Sequence, residues 1–215
     1  MSEARDMILG KIRRALGRIS GQGLDSKPPH PGAGPIPSRA EGDLGMRVQT
    51  FTEWAQKARA GVSRVSGSEH IGSALAGFLS HNGLPLEVTA APYFQPHEEE
   101  WVAAGLKPCF GTAPDHGLVG ITPAFAGIAE TGTCVMLSGP NHPSRLNMLP
   151  DNHMVILALK DIVGSYEEAW DKVLATGPLP RTVLWVTGPS LTGDIEQTLQ
   201  QGAHGPRRLH IFIVG

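Results

Sequence analysis

Helices and short apolar strands alternate along this 215-residue chain. That alternation predicts an α/β domain built on a largely parallel sheet flanked by helices. Three observations carry the expectation. Met154-Val155-Ile156-Leu157-Ala158-Leu159 is continuously apolar, the pattern of a strand buried on both faces. Thr133-Cys134-Val135-Met136-Leu137 is a second β-prone run of strand length. On either side, stripes of apolar residues at helical spacing stop at glycines such as Gly61 and Gly105.

Taken in order, the chain begins with an amphipathic arm over residues 1–19. Ile8, Ile12, Leu16 and Ile19 fall on one face, with Arg5, Lys11, Arg13, Arg14 and Arg18 on the others. Such a helix rests on its own domain or docks on a partner or a second copy. A membrane-surface role ranks last, because the arm has no aromatic anchors. Residues 20–50 read as a linker: Gly21 to Gly45 holds six glycines and five prolines, too little apolar surface to bury. The globular pattern runs from residue 51 to 215. Phe51, Trp54, Ala55 and Ala58 predict a helix ending at Gly61, followed by a strand at Val62–Val65 and a helix over Ser68–Leu79. Leu86 to Val88 and Leu118 to Ile121 read as strands around a helix at Glu98–Ala104. Beyond the central strands come a helix at Ser165–Ala175, a strand at Thr182–Thr187, a helix from Leu191 to Gln200 and a strand at Leu209–Val214.

Composition narrows the function classes. Eighteen basic against twenty acidic residues give a formal net charge of −2, which offers no attraction to nucleic acid or an anionic membrane. No apolar run approaches the roughly 20 residues of a membrane span. Met7 to Leu16 mixes charge throughout, unlike a signal peptide's apolar segment. The expected location is cytoplasmic. Cys109 and Cys134 are the only cysteines, too few for a disulfide framework, a four-cysteine zinc site or an ordinary iron–sulfur cluster. Cys134, inside an apolar strand, reads as a small buried hydrophobe. No histidine pair has close metal-ligand spacing, so no metal site is assigned.

Four polar constellations could carry chemistry. In Glu130-Thr131-Gly132-Thr133 a carboxylate stands beside hydroxyls and a glycine that lets backbone N–H groups approach a ligand. Glu130 there could act as general base, nucleophile or hydroxyl anchor, with Thr131, Gly132 and Thr133 as binding positions. The bland reading is a turn in which Glu130 faces water. The second constellation is Asn141, His142, Ser144 and Arg145, followed by Asp151 and His153. It turns at Ser138–Asn141, and Pro143–Pro150 has room for about two helical turns. Arg145 offers a bidentate fork for a carboxylate or phosphate; His142 could move a proton or simply face solvent. The third, Gly188 to Glu196, joins a strand to the expected helix. Ser190 or Thr192 would cap that helix or help bind an anion there, while Asp194 and Glu196 already supply charge. The fourth, Gly202 to Arg208, with His204 and Arg207, reads most simply as a structural turn.

Several of these motifs share one resemblance. GIAETGT, a strand, SRLNMLPDNH, a second strand and the tail GPSLTGDIEQTLQQGAHGPRRLHIFIVG together resemble the lactate-utilisation protein C family, the LUD domain, over roughly Gly117 to Gly215. The resemblance implies a fold similar to the sugar-phosphate isomerase and CoA-transferase-like superfamily. It also implies a role in L-lactate oxidation to pyruvate alongside iron–sulfur partner proteins that hold the clusters, with no cofactor bound by this chain alone. Two other readings stay open: a stand-alone transferase-like or ligand-binding enzyme for an anionic metabolite, CoA ester or nucleotide, and a non-catalytic assembly or regulatory subunit. Self-association as a homo-oligomer also stays open.

Overall fold

The structure, a computed structural model, describes residues 2–15, 36–112, 118–193, 199–202 and 204–215. It divides into two units, Met1–Pro35 and Ile36–Gly215. In the first, α1 spans Ser2–Ala15. Of the segment whose composition suggests a linker, residues 20–35 lie outside those described, and its end from Ile36 onward belongs to the second unit. Helix α2 (Leu44–Lys57) starts there because Asp43 caps it, its Oδ1 accepting the Met46 N–H at 2.9 Å.

Six strands form one wholly parallel sheet: β1 (Gly61–Val65), β2 (Glu87–Ala90), β3 (Lys107–Phe110), β4 (Val119–Pro123), β7 (Asn152–Ala158) and β12 (Arg208–Val214). Their order is β1-β12-β7-β4-β2-β3. The sequence anticipates all of these except β3. A second, four-stranded sheet contains β5 (Ala126–Ile128), β6 (Thr133–Leu137), β8 (Ile162–Val163) and β9 (Val183–Val186) in the order β8-β5-β6-β9. Here β6 runs antiparallel to both of its neighbours. The apolar run at Thr133–Leu137 is therefore a strand, but not of the parallel sheet.

Alternation of side chains along the strands sets the layers. Met154 and Ile156 of β7 join Phe212 of β12 in a core with Leu75 and Leu79 of α3 (Ile71–His81) and Trp101 of α4 (Glu98–Ala103). Val155 and Leu157 point the other way, with Ile211 and Ile213, onto Phe51 and Ala55 of α2 and onto Cys134 and Met136 of β6. The second sheet's other face, Ala126, Ile128 and Val135, buries Ala169 and Val173 of α5 (Tyr166–Leu174). β7 is covered on both faces, as its continuously apolar sequence requires.

Two expected helices are not found among the described residues. Leu191–Gly193 (β10) pairs antiparallel with Leu199–Gln201 (β11), and residues 194–198 lie outside those described. The helical reading of 191–200 is thus corrected: the β-branched Thr192 and the adjoining Gly193 suit an extended segment better than a helix interior. Pro143–Pro150 holds a single 3₁₀ turn, Ser144–Asn147, in place of two α-helical turns. A second proline at position 150 and the short span leave little room for an α-helix to propagate.

Candidate functional site

The Glu130 motif forms the turn between β5 and β6, in the mixed sheet and not at the carboxyl edge of the parallel one. Gly132 donates its N–H to Ile128 O at 2.9 Å, closing the turn at φ +66°. A Cβ there would meet the Ala55 amide nitrogen and lie 2.6 Å from the Ala55 Cα. The glycine therefore lets the turn approach α2, where the sequence suggests approach to a ligand. Glu130 is buried, 5% exposed, and does not face water. Its carboxylate accepts the Tyr166 N–H at 3.0 Å, and its own N–H donates to Gly164 O at 3.1 Å. The Arg39 guanidinium donates to the Glu130 carbonyl at 2.9 Å while lying over the Trp54 ring.

Beside that carboxylate the hydroxyls gather. Thr133 Oγ1 lies 2.7 Å from Thr131 Oγ1, 3.1 Å from the Tyr166 hydroxyl and 2.5 Å from Thr187 Oγ1. Thr131 also donates to the Tyr166 oxygen at 3.2 Å. These groups largely satisfy one another, so the turn is a hydrogen-bonded joint between β6, β9 and α5.

A separate cleft of about 400 Å³ opens elsewhere, lined by Tyr93, Pro123, Phe125, Ser138, His142, Asp161 and Lys172 among others. Its position follows from topology. From β2 the chain moves outward to β3, then returns to place β4 on the other side of β2. The carboxyl ends of β2 and β4 therefore flank a topological switch point, where open parallel sheets bind ligands. Tyr93 follows β2, Phe125 follows β4 and Asp161 follows β7. The Ser138–Asn141 turn closes through reciprocal bonds between Gly139 and His142 at 3.2 and 3.0 Å. Tyr93 N–H donates to Asn141 O at 3.3 Å and its ring meets that of His142 at 5.3 Å, which ties the turn to the end of β2.

Among the described residues the cleft carries one cation and one carboxylate, in contact. Lys172 Nζ lies 2.6 Å from Asp161 Oδ1 and over the Phe125 ring at 5.2 Å. Burial pushes the His142 imidazole below its ordinary pKa, so at pH 7 the ring is neutral and able to accept a proton. The site thus joins a proton acceptor, an ammonium suited to a carboxylate and a largely apolar wall. Of these residues, sequence reasoning singled out His142. It missed Tyr93, Phe125, Asp161 and Lys172, whose signal is their place just beyond parallel strands or, for Lys172, on the helix over the second sheet.

The remaining sequence candidates lie apart. Arg145 is exposed on the 3₁₀ turn and does not line the cleft. Ser190 precedes β10, its N–H donating to Pro206 O at 2.8 Å, and Thr192 lies within β10, so neither caps a helix. His153 is fully buried in β7, with Nε2 2.6 Å from Thr122 Oγ1. Cys134 is buried and its thiol pushed up to about 12, which suits an inert core residue. Cys109 is exposed on β3, in the other sheet. Among the described residues no three His, Cys, Asp or Glu side chains gather as a metal site, and no helix is long and apolar enough to cross a membrane.

Comparison with known proteins places these features. Along the whole chain the protein is similar to the Lactate utilization protein C of Deinococcus radiodurans, 28% identical over 221 residues, spanning 100% of this chain and 97% of that one. It is 33% identical to the Lactate utilization protein C of Bacillus subtilis over 100 residues, 45% of this chain and 42% of the relative. The crystal structure of a DUF162 family protein from Deinococcus radiodurans matches the fold with a TM-score of 0.63, covering 81% of this chain and 100% of that one at 23% identity. The LUD domain matches residues 116–214, from β4 through the hairpin turn and most of the cleft to β12. Over this carboxyl-terminal stretch, residues 116–214, the chain is similar to the LUD domain.

Proposed function

We propose that this protein serves L-lactate utilisation as the subunit that works with iron–sulfur partner proteins to oxidise L-lactate to pyruvate. The observation that carries this reading is the end-to-end similarity to a Lactate utilization protein C. The reaction removes two electrons and two protons from a 2-hydroxy acid, so it needs an electron acceptor. Two cysteines in different sheets cannot ligate an ordinary cluster, and the chain lacks the glycine fingerprint of a dinucleotide site. The electrons then pass to centres held by partners. This chain's part is to position the substrate: Lys172 offers charge to the carboxylate, and neutral His142 offers a base for the hydroxyl proton. Of the sequence candidates, Glu130 serves in this reading by fixing the turn and the start of α5.

The size of the cleft favours a second reading. About 400 Å³ lies in the range that drug-sized ligands fill, more than a three-carbon acid occupies. A ligand-binding or transferase-like role for a larger anionic metabolite follows from that observation. Purified protein with L-lactate and an artificial electron acceptor, assayed with and without the iron–sulfur partners, separates the two. Pyruvate formed only in the reconstituted mixture supports the first reading. Robust oxidation by this chain alone, without added cofactor, overturns it.

A further inference from the structure

The amino-terminal edge of the parallel sheet carries a charged depression remote in topology from the cleft at the carboxyl edge. It has a volume of about 470 Å³ and is lined by Arg59, Asp151, Asn152, Arg207 and Arg208. Strand register explains the convergence. Gly61 pairs with His210, so Arg59 and Arg208, each two residues earlier, enter β1 and β12 side by side. On the other side Arg208 pairs with Asn152 at the start of β7. The Asp151 carbonyl accepts the N–H groups of Arg207 and Arg208 at 2.8 and 3.1 Å, fixing both backbones.

Charge and backbone then point to a ligand. Among the described residues that line it are three arginines and one carboxylate, that of Asp151, which lies 3.6 Å from Arg207 Nε. Arg59 and Arg208 make no ion pair among the described residues. The positive charge of Arg208 is also felt within the sheet, where it reinforces burial in lowering the His210 pKa. Among the described residues Arg59 is the one non-glycine at positive φ, +67°. It follows α2 at the position where glycine ends helices without strain, its N–H donating to Gln56 O at 2.9 Å. An arginine kept in that conformation, with its side chain on a basic depression, marks a position where the guanidinium outweighs the strain.

We infer that the depression formed by Arg59, Arg207 and Arg208 is a binding site for a phosphate-bearing small molecule carrying at least two negative charges. Guanidinium forks match phosphoryl oxygens bidentately, and adjacent strands hold two of them side by side. Asp151 sets one arginine in place, and Arg59 and Arg208, which make no ion pair among the described residues, supply the charge for the ligand.

The test uses the full chain and pyrophosphate as probe, by calorimetry and thermal unfolding at constant ionic strength, with citrate and sodium chloride as controls. Saturable pyrophosphate binding with a raised Tm is expected, and sodium chloride should not reproduce it. Arg59→Gly suits the positive φ, so it should keep or raise the Tm of the free protein while weakening binding at least about tenfold. Arg208→Gln, at an exposed strand start, should weaken binding similarly with little change in stability. Citrate binding as tightly as pyrophosphate would overturn the phosphate assignment. Absence of saturable binding, or binding by both variants as tight as the parent's, would overturn the site.

Discussion

The Glu130 carboxylate accepts the backbone N–H of Tyr166 at 3.0 Å, joining the β5–β6 turn to the first turn of α5. Ser165 completes that helix start, its hydroxyl accepting the Glu168 N–H at 3.3 Å. A buried carboxylate at a helix N-terminus satisfies an otherwise orphaned donor and opposes the helix dipole. Glu130→Gln keeps an acceptor but loses the charge, and should cost about 0.3–1 kcal/mol. Glu130→Ala leaves the donor unpaired and should cost about 1–3 kcal/mol. Urea titrations of both variants measure this. If Glu130→Ala unfolds at the same urea concentration as the parent, the anchoring role is wrong. If Glu130→Gln is fully stable yet abolishes lactate-dependent growth, the carboxylate takes part in chemistry.

Gly132 makes the same joint from the other side. Its φ of +66° and its approach to the Ala55 backbone leave no room for a methyl group. The obstruction is main chain of α2, which cannot swing aside as a side chain can. Gly132→Ala should lose more than about 2 kcal/mol of stability and much of its soluble yield. A near-normal Tm would show that the turn can lift off α2.

These two residues also mark where sequence reasoning stopped. Glu130-Thr131-Gly132 was legible as a special turn, and β7 as a strand covered on both faces, because glycine chemistry and apolar continuity are local signals. That the turn belongs to an antiparallel hairpin was not legible. Strand direction depends on pairing between distant segments, and β5, at Ala126–Ile128, is too short to announce itself. The cleft was hidden for a related reason. Its wall combines Tyr93, Phe125, Asp161 and Lys172 from four separate segments, which only the strand order brings together. Leu191–Gln200 misled because apolar spacing in a short stretch fits a helix and a hairpin about equally well.

Acid sensitivity should follow from two buried histidines. Burial pushes His153 down to about 4, and burial together with Arg208 pushes His210 to about 4. Unfolded, each would titrate near 6.5. Between pH 6.5 and 4 the unfolded chain therefore binds more protons than the folded one, so stability rises with pH in that window and falls on acidification. For His153 the effect approaches about 3 kcal/mol across the window; His210, which bonds Ser63 through Nε2 at 2.9 Å, contributes in the same direction. Denaturant unfolding at pH 7.5 and 5 should show the loss, and His153→Gln should reduce the pH slope even if it lowers stability at pH 7.5. An unchanged slope would mean that His153 gains solvent or a partner before it protonates.

The cleft and the Glu130 turn make opposite predictions for growth on L-lactate. Thr176 lies on the cleft rim, exposed, just past the end of α5. A large side chain there should fill the cleft without disturbing the core, so Thr176→Trp should retain the parent Tm and lose lactate-dependent growth. His142→Ala should do the same through chemistry, because the turn is closed by the His142 backbone and the ring's aromatic contact is with the exposed Tyr93. A neutral base at position 142 also requires activity of the reconstituted system to fall on the acid side, below pH 6.5, because burial lowers this histidine's pKa. Activity, Tm and pH profile are measured on the same preparations with the iron–sulfur partners present. If Thr176→Trp and His142→Ala both support growth like the parent, the substrate does not use the cleft. If they fail while a stable Glu130→Gln succeeds, the cleft carries the function and the conspicuous turn carries the fold.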